Sequence, residues 1–159
     1  MMHAVGMERT LVLLKPDALE RGLVGRIVAR FEDKGLRLAG MKMMQLERGL
    51  LEEHYAHLKD LPVFPEIVAF MMSAPIVALC LEGLEAVQVV RTMCGATRSR
   101  TAVPGTIRGD LGMSSRSNLV HASDSPETAA VEIRRFFADS ELFAYERRFD
   151  ALIHIPDKP

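Results

Sequence analysis

Thiols are scarce in this chain: Cys80 and Cys94 are the only cysteines in 159 residues. Their spacing fits neither a disulfide framework nor a metal site. Both lie in apolar stretches (Ala78-Leu79-Cys80-Leu81 and Met93-Cys94), so they are read as reduced, buried residues of a cytoplasmic protein. An excess of one charge sign is missing too. Twenty basic residues against 21 acidic ones leave a formal net charge of -1. Nucleic-acid binders normally carry a basic excess, so nucleic acid is not expected as a partner. No apolar run is long enough to cross a membrane, and Met1 to Gly6 lacks the pattern of a signal peptide. No repeat or low-complexity segment is found.

What is present is the balance of a globular protein, 48% hydrophobic and 26% charged, at a length suited to one domain. Met7-Glu8-Arg9 reads like a second start. Residues 1–6 are therefore expected to be an N-terminal extension, and residues 7–159 a single domain.

Thr10 to Leu14 reads as a buried strand closed by Lys15-Pro16-Asp17. Val24, Ile27, Val28 and Phe31 fall at helical spacing, with Gly35 placed to end that helix. Leu36 to Leu46 alternates as a strand, with Gly40 a candidate bulge. Leu50 to Lys59 and Glu66 to Met72 read as helices on either side of Pro62 and Pro65. Ile76 to Leu81 reads as a central strand, and Leu84, Val87 and Val90 as the buried stripe of a helix stopped at Gly95. Gly95 to Asn118 is glycine- and arginine-rich with few large apolar residues, a loop long enough to be functional. Leu119-Val120 resumes as a short strand. Ser125-Pro126-Glu127 then starts a helix whose buried face is Ala129, Ile133, Phe136 and Phe137. This order suits an α+β sandwich, one sheet with helices on one face.

Phosphate chemistry has a specific candidate set. Gly22-Leu23-Val24-Gly25 precedes a helix, but no Gly-Lys-Ser or Gly-Lys-Thr follows, so a Walker A loop is absent. The protein-kinase motif set is absent as well. Lys15, Arg91 and Arg108 are cations at the ends of strands, helices or loops, a combination that suits a polyphosphate. His121 lies between a short strand and a well-capped helix. A neutral imidazole there can form a covalent intermediate, provided a partner fixes its other nitrogen. Glu132, read as lying off the buried stripe of the next helix, is the candidate partner. His3, His54, His57 and His154 have no comparable setting in the sequence.

These residues fall in motifs that together resemble the nucleoside diphosphate kinase family. They are Lys15-Pro16-Asp17-Ala18, Arg21-Gly22-Leu23-Val24-Gly25, Glu53-His54-Tyr55, Pro104-Gly105-Thr106-Ile107-Arg108-Gly109-Asp110, and Asn118-x-x-His121 followed by Ser123-Asp124-Ser125. The resemblance implies a ferredoxin-like βαββαβ core with a four-stranded antiparallel sheet covered by helices, assembled as a tetramer or hexamer. It implies ping-pong transfer of a terminal phosphate from a nucleoside triphosphate, usually ATP, to a nucleoside diphosphate, with Mg²⁺ on the nucleotide. By position, His121 resembles the phosphorylated nucleophile, Glu132 the carboxylate orienting it, and Ser123 the hydroxyl supporting that carboxylate. Lys15, Tyr55, Arg91, Thr97 and Arg108 match residues around the phosphates, and Asn118 matches a sugar contact. Val63 and Ile67 match the base site, and Asp124 an acid near the metal, acting through water. Departures from the family pattern are Val63 where an aromatic is usual, Ala122 where glycine is usual, Arg116-Ser117 where Gly-Arg is usual, and the loop at Arg98 to Val103, which lacks the usual Asn-Pro or Asp-Pro start. Two other classes are weighed against the kinase. A regulatory nucleotide binder is disfavoured by the presence of His121, Lys15, Arg108 and Glu132, and a nucleic-acid module by the balanced charge.

Overall fold

The structure, a computed structural model, describes residues 6–156. Apart from Gly6, the expected N-terminal extension, His3 included, lies outside the described residues. Four strands, β1 (Met7–Leu14), β2 (Arg37–Met44), β3 (Ile76–Leu84) and β4 (Val120–Ala122), form one sheet in the order β2-β3-β1-β4. Every neighbouring pair is antiparallel. Between Leu38 and Gly40 the register of β2 against β3 slips, so the bulge foreseen at Gly40 is present, with Ala39 as the extra residue. Gly40 also lies under the C-terminal segment. A Cβ there would press on Leu142, Phe137 and the carbonyl of Glu141.

The helices cover both faces of the sheet, not one. The reason is in the strands: Leu11-Val12-Leu13-Leu14 and Ile76 to Leu81 are apolar at every position, so neither face can be left to water. On one face Val12, Leu14, Val77, Leu79 and Leu81 pack under α2 (Val24–Asp33) and α5 (Ala86–Cys94). Phe31 of α2 is fully buried there, and its truncation to Ala is expected to cost about 3–5 kcal/mol. On the other face Leu11, Leu13, Ala78 and Cys80 pack under α3 (Arg48–His54), α4 (Phe64–Met71) and α7 (Pro126–Phe136). Cys80 and Cys94 are both free and buried, one in each core, and burial pushes both thiols up to about 11. Among the described residues, no helix is long and apolar enough to cross a membrane.

Local chemistry sets the helix ends. Gly35, at φ +102, turns the chain from α2 into β2. The α5 N-terminus has a borrowed acceptor: Glu8 Oε2, on β1, takes the Val87 N–H at 3.2 Å. Ser125 caps α7, its hydroxyl accepting from the Thr128 N–H at 3.1 Å. The long loop holds two short helical pieces, a 3₁₀ turn at Ser99–Thr101 and α6 (Ile107–Leu111). Thr106 caps α6 through the Gly109 N–H at 3.0 Å.

Candidate active site

The loop ends and strand ends converge on a cavity of about 820 Å³. Antiparallel pairing sets His121 opposite Leu13, so the β1 register carries the histidine on the same face as Leu13, toward α3 and α7. His121 Nε2 lies 3.3 Å from Glu132 Oε2. Its Nδ1 makes no hydrogen bond among the described residues.

Glu132 was expected off the buried stripe of α7 and lies on it, three residues after Ala129 and four before Phe136. The correction has a physical consequence, because a buried carboxylate needs partners. Ser123 Oγ donates to Oε2 at 2.5 Å, and the same hydroxyl accepts the Leu11 N–H at 3.3 Å. Burial alone would raise Glu132, but the bonds from His121 and Ser123 and the neighbouring charges outweigh it and hold the carboxyl below its ordinary value. The chain Leu11, Ser123, Glu132, His121 thus ties the imidazole to the middle of the sheet.

Cations surround this histidine. Lys15, Arg91 and Arg108 all line the cavity. Lys15 Nζ donates to Asn118 Oδ1 at 2.7 Å. Burial, with Arg108 adding to it, pushes the Lys15 ammonium down to about 8, although Asp17 opposes the shift. Arg108 spends its donors on three carbonyls: Nε to Asn118 at 3.2 Å, Nη1 to Gly95 at 2.7 Å and Nη2 to Val120 at 2.6 Å. Among the described residues no carboxylate pairs with it, and burial lowers its pKa. A buried, rigid cation of this kind favours an incoming anion. Arg91 instead pairs with Asp124 at the exposed rim.

One backbone corner holds these groups together. Leu119 sits at φ +73, a region a branched side chain rarely adopts. Its N–H donates to Asp17 Oδ2 at 3.1 Å, and its carbonyl accepts the Lys15 N–H at 2.8 Å. Asn118, just before it, donates its amide to the carbonyls of Thr97 and Ser115, both at 3.0 Å. The corner therefore joins the end of β1, the long loop and β4.

A profile of the family described as nucleoside diphosphate kinase matches residues 8–142. The chain belongs to the nucleoside diphosphate kinase family. A nucleoside diphosphate kinase of Parabacteroides distasonis is 59% identical over 140 residues, covering 88% of this chain and 92% of the relative. The structure of a halophilic nucleoside diphosphate kinase from Halobacterium salinarum in complex with CDP superposes with a TM-score of 0.91 at 43% identity, covering 93% and 99% of the two chains. A transition state mimic of the Borrelia burgdorferi nucleoside diphosphate kinase with bound vanadate and ADP gives a TM-score of 0.87 at 33% identity, covering 94% and 98%. The sheet described above is thus the ferredoxin-like sheet of this family, with helices added on its second face.

Of the family positions identified in the sequence, Lys15, Tyr55, Arg91, Thr97, Arg108, Asn118, His121, Asp124 and Glu132 line the cavity, and Ser123 lies buried behind Glu132. Val63 and Ile67, the N-cap and fourth residue of α4, are not in its wall, and Phe64 beside them is buried in the second core. Ala122 sits in β4 without the positive φ that would have required glycine. Sequence reasoning missed His54. Its ring is buried against His121, with centroids 4.6 Å apart. The available signal was helical spacing, since Leu51, His54 and Leu58 share one face of the segment read as a helix. Arg135 and His57, also in the cavity wall, carried no signal in the sequence.

Proposed function

We propose that the chain is a nucleoside diphosphate kinase that moves the terminal phosphate between nucleotides by a ping-pong mechanism, with His121 as the phosphorylated residue. The observation that carries this reading is His121 Nε2 facing Glu132 Oε2 at 3.3 Å inside a cavity lined by Lys15, Arg91 and Arg108. With Nε2 engaged, the Nδ1 lone pair is the one available to phosphorus. In the first half-reaction Nδ1 attacks the terminal phosphorus of the triphosphate. The bond to the bridging oxygen breaks, its electron pair leaves with the nucleoside diphosphate, and Glu132 stabilises the positive charge gained by the ring. In the second half, a terminal oxygen of a bound diphosphate attacks the phosphohistidine and Nδ1 leaves.

Such a transfer needs positioning and charge more than covalent help. Arg108, fixed by three carbonyls, and Lys15, fixed by Asn118, meet the phosphates as pre-oriented donors. Tyr55, Thr97 and Arg91 complete the phosphate end, and Asn118 is the candidate contact to the sugar. The donor set also fits a divalent cation, which this family uses and which we take to be Mg²⁺. A hard cation prefers oxygen ligands and keeps several waters, and Asp124 offers one exposed carboxylate at the rim. Carried on the nucleotide, Mg²⁺ would be met by Asp124 through water and would offset phosphate charge.

We further infer a cytoplasmic homo-oligomer, a tetramer or hexamer, whose other partners are nucleotides and not membranes or nucleic acid. Edge strand β2 supports self-association, because its outward Met41 and Met43 are 50% and 65% exposed. The ping-pong reading is tested by initial rates with ATP and GDP varied together. Parallel double-reciprocal lines are expected, and intersecting lines, the mark of a ternary complex, would exclude it.

A further inference from the structure

His54 takes no part in the transfer written above, yet it lies against both His121 and Glu132. Its side chain is fully removed from solvent. Its ring meets those of His121, Tyr55 and Phe136 nearly edge to face, at centroid distances of 4.6, 4.7 and 5.0 Å. Two groups of α7 face its Nδ1: Arg135 Nη1 at 3.3 Å and Glu132 Oε1 at 3.9 Å. Guanidinium groups only donate, so Nδ1 is the acceptor and the ring proton sits on Nε2. Arg135 is itself held by Glu53, Nε to Oε1 at 2.9 Å. Glu132 and Arg135 are three residues apart, so α7 directs both from one side.

The two oxygens of Glu132 have different neighbours. Oε2 serves His121 and Ser123, whereas Oε1 faces His54. A proton on His54 Nδ1 would form an ion pair with Oε1 and draw the carboxylate away from His121.

We propose that Arg135 and His54 act together as positioning residues for phosphoryl transfer: Arg135 keeps Nδ1 of His54 free of a proton, and the uncharged ring holds His121 with Nε2 on Glu132. This rests on His121 being the phosphorylated residue. Charge around His54 agrees with the geometry. Burial and the proximity of His121 push it down to about 3, Glu132 opposes, and Arg135 and His57 add to the lowering. Tyr55, beside it, has its hydroxyl pushed up by burial and stays neutral.

The test is made on the full chain, by ¹⁵N NMR of the histidine rings and by single-turnover labelling of His121 with ATP. In wild type, His54 should show a bare Nδ1. R135E, which replaces the donor by an acceptor, should move the proton to Nδ1 and slow labelling by roughly tenfold, with kcat changed more than KM. Adding H54N should return the rate to that of H54N alone, because asparagine cannot take the proton. R135M, which removes the donor without adding charge, should act in the same direction by a smaller factor, and it keeps the test standing if R135E does not fold. A wild-type His54 protonated at Nδ1 overturns the proposal. So does wild-type labelling speed in both Arg135 variants, or an undiminished loss when H54N is added. If wild type takes no label, the phosphohistidine reading falls and this proposal with it; if it labels and any of the three contrary results appears, this proposal alone falls.

Discussion

Ser123 donates its hydroxyl proton to Glu132 Oε2 across 2.5 Å, with both side chains buried. The bond joins the residue after β4 to the second turn of α7, and the oxygen it reaches is the one that faces His121. The orientation of the nucleophile is therefore set two bonds away from it.

Ser123→Ala should remove that support and leave the Leu11 N–H without its side-chain acceptor. A loss of about 1–3 kcal/mol of stability is expected, with labelling of His121 slowed by roughly tenfold. A carboxylate held below its ordinary value contributes stability that is present above that value and lost as pH falls through the lowered one. The stability gap between wild type and variant should therefore narrow in acid. Urea unfolding at neutral and acid pH measures it, and a gap that widens in acid would contradict the account.

Lys15 gives a pH dependence of the same sign, but in the alkaline range. Its ammonium titrates near 8 in the fold and near 10.5 in the unfolded chain. Between those values the unfolded state binds more protons, so the stability of the nucleotide-free protein should rise with pH across that window. Nucleotide affinity should move the other way, falling as pH passes about 8 and the charge facing the phosphates is lost. Calorimetric titration with ADP checks this, and Lys15→Met should flatten both trends.

Gly109→Ala tests how the long loop holds Arg108. A Cβ at Gly109 would overlap the Val103 carbonyl and press on the Thr106 hydroxyl that caps α6. The loop must shift to admit it, at about 1–3 kcal/mol. Because Arg108 is the neighbouring residue, ADP affinity should fall along with the thermal midpoint. An unchanged affinity in a destabilised protein would show that Arg108 is held independently of the loop.

The strands and most helices were legible because their apolar residues repeat at two or 3.6 residues, as in Val24 to Phe31 and Ile76 to Leu81. Coverage of both sheet faces was equally present in the unbroken apolar run of β1, but a run gives no face by itself. The tail after Phe137 has no periodicity to read. Its order comes from distant partners, such as the Tyr145 hydroxyl on the Leu38 carbonyl at 2.8 Å and Arg147 on the Gly35 carbonyl at 2.6 Å. At the site, His121, Lys15 and Arg108 stood out through motif and position. His54 did not, because a histidine on an apolar helical face looks like core packing until His121 is brought against it. Glu132 was assigned to the right partner but the wrong environment, since its burial depends on how α7 rolls on the sheet.

The central claim is that His121 carries the phosphate, and one experiment addresses it directly. The full chain and His121→Ala are incubated with γ-labelled ATP and Mg²⁺, separated from free nucleotide, and chased with GDP. The account predicts acid-labile label on wild type alone, released as labelled GTP. Label of the same lability on the His121→Ala protein, or a wild type that binds ATP yet takes no label, would contradict it.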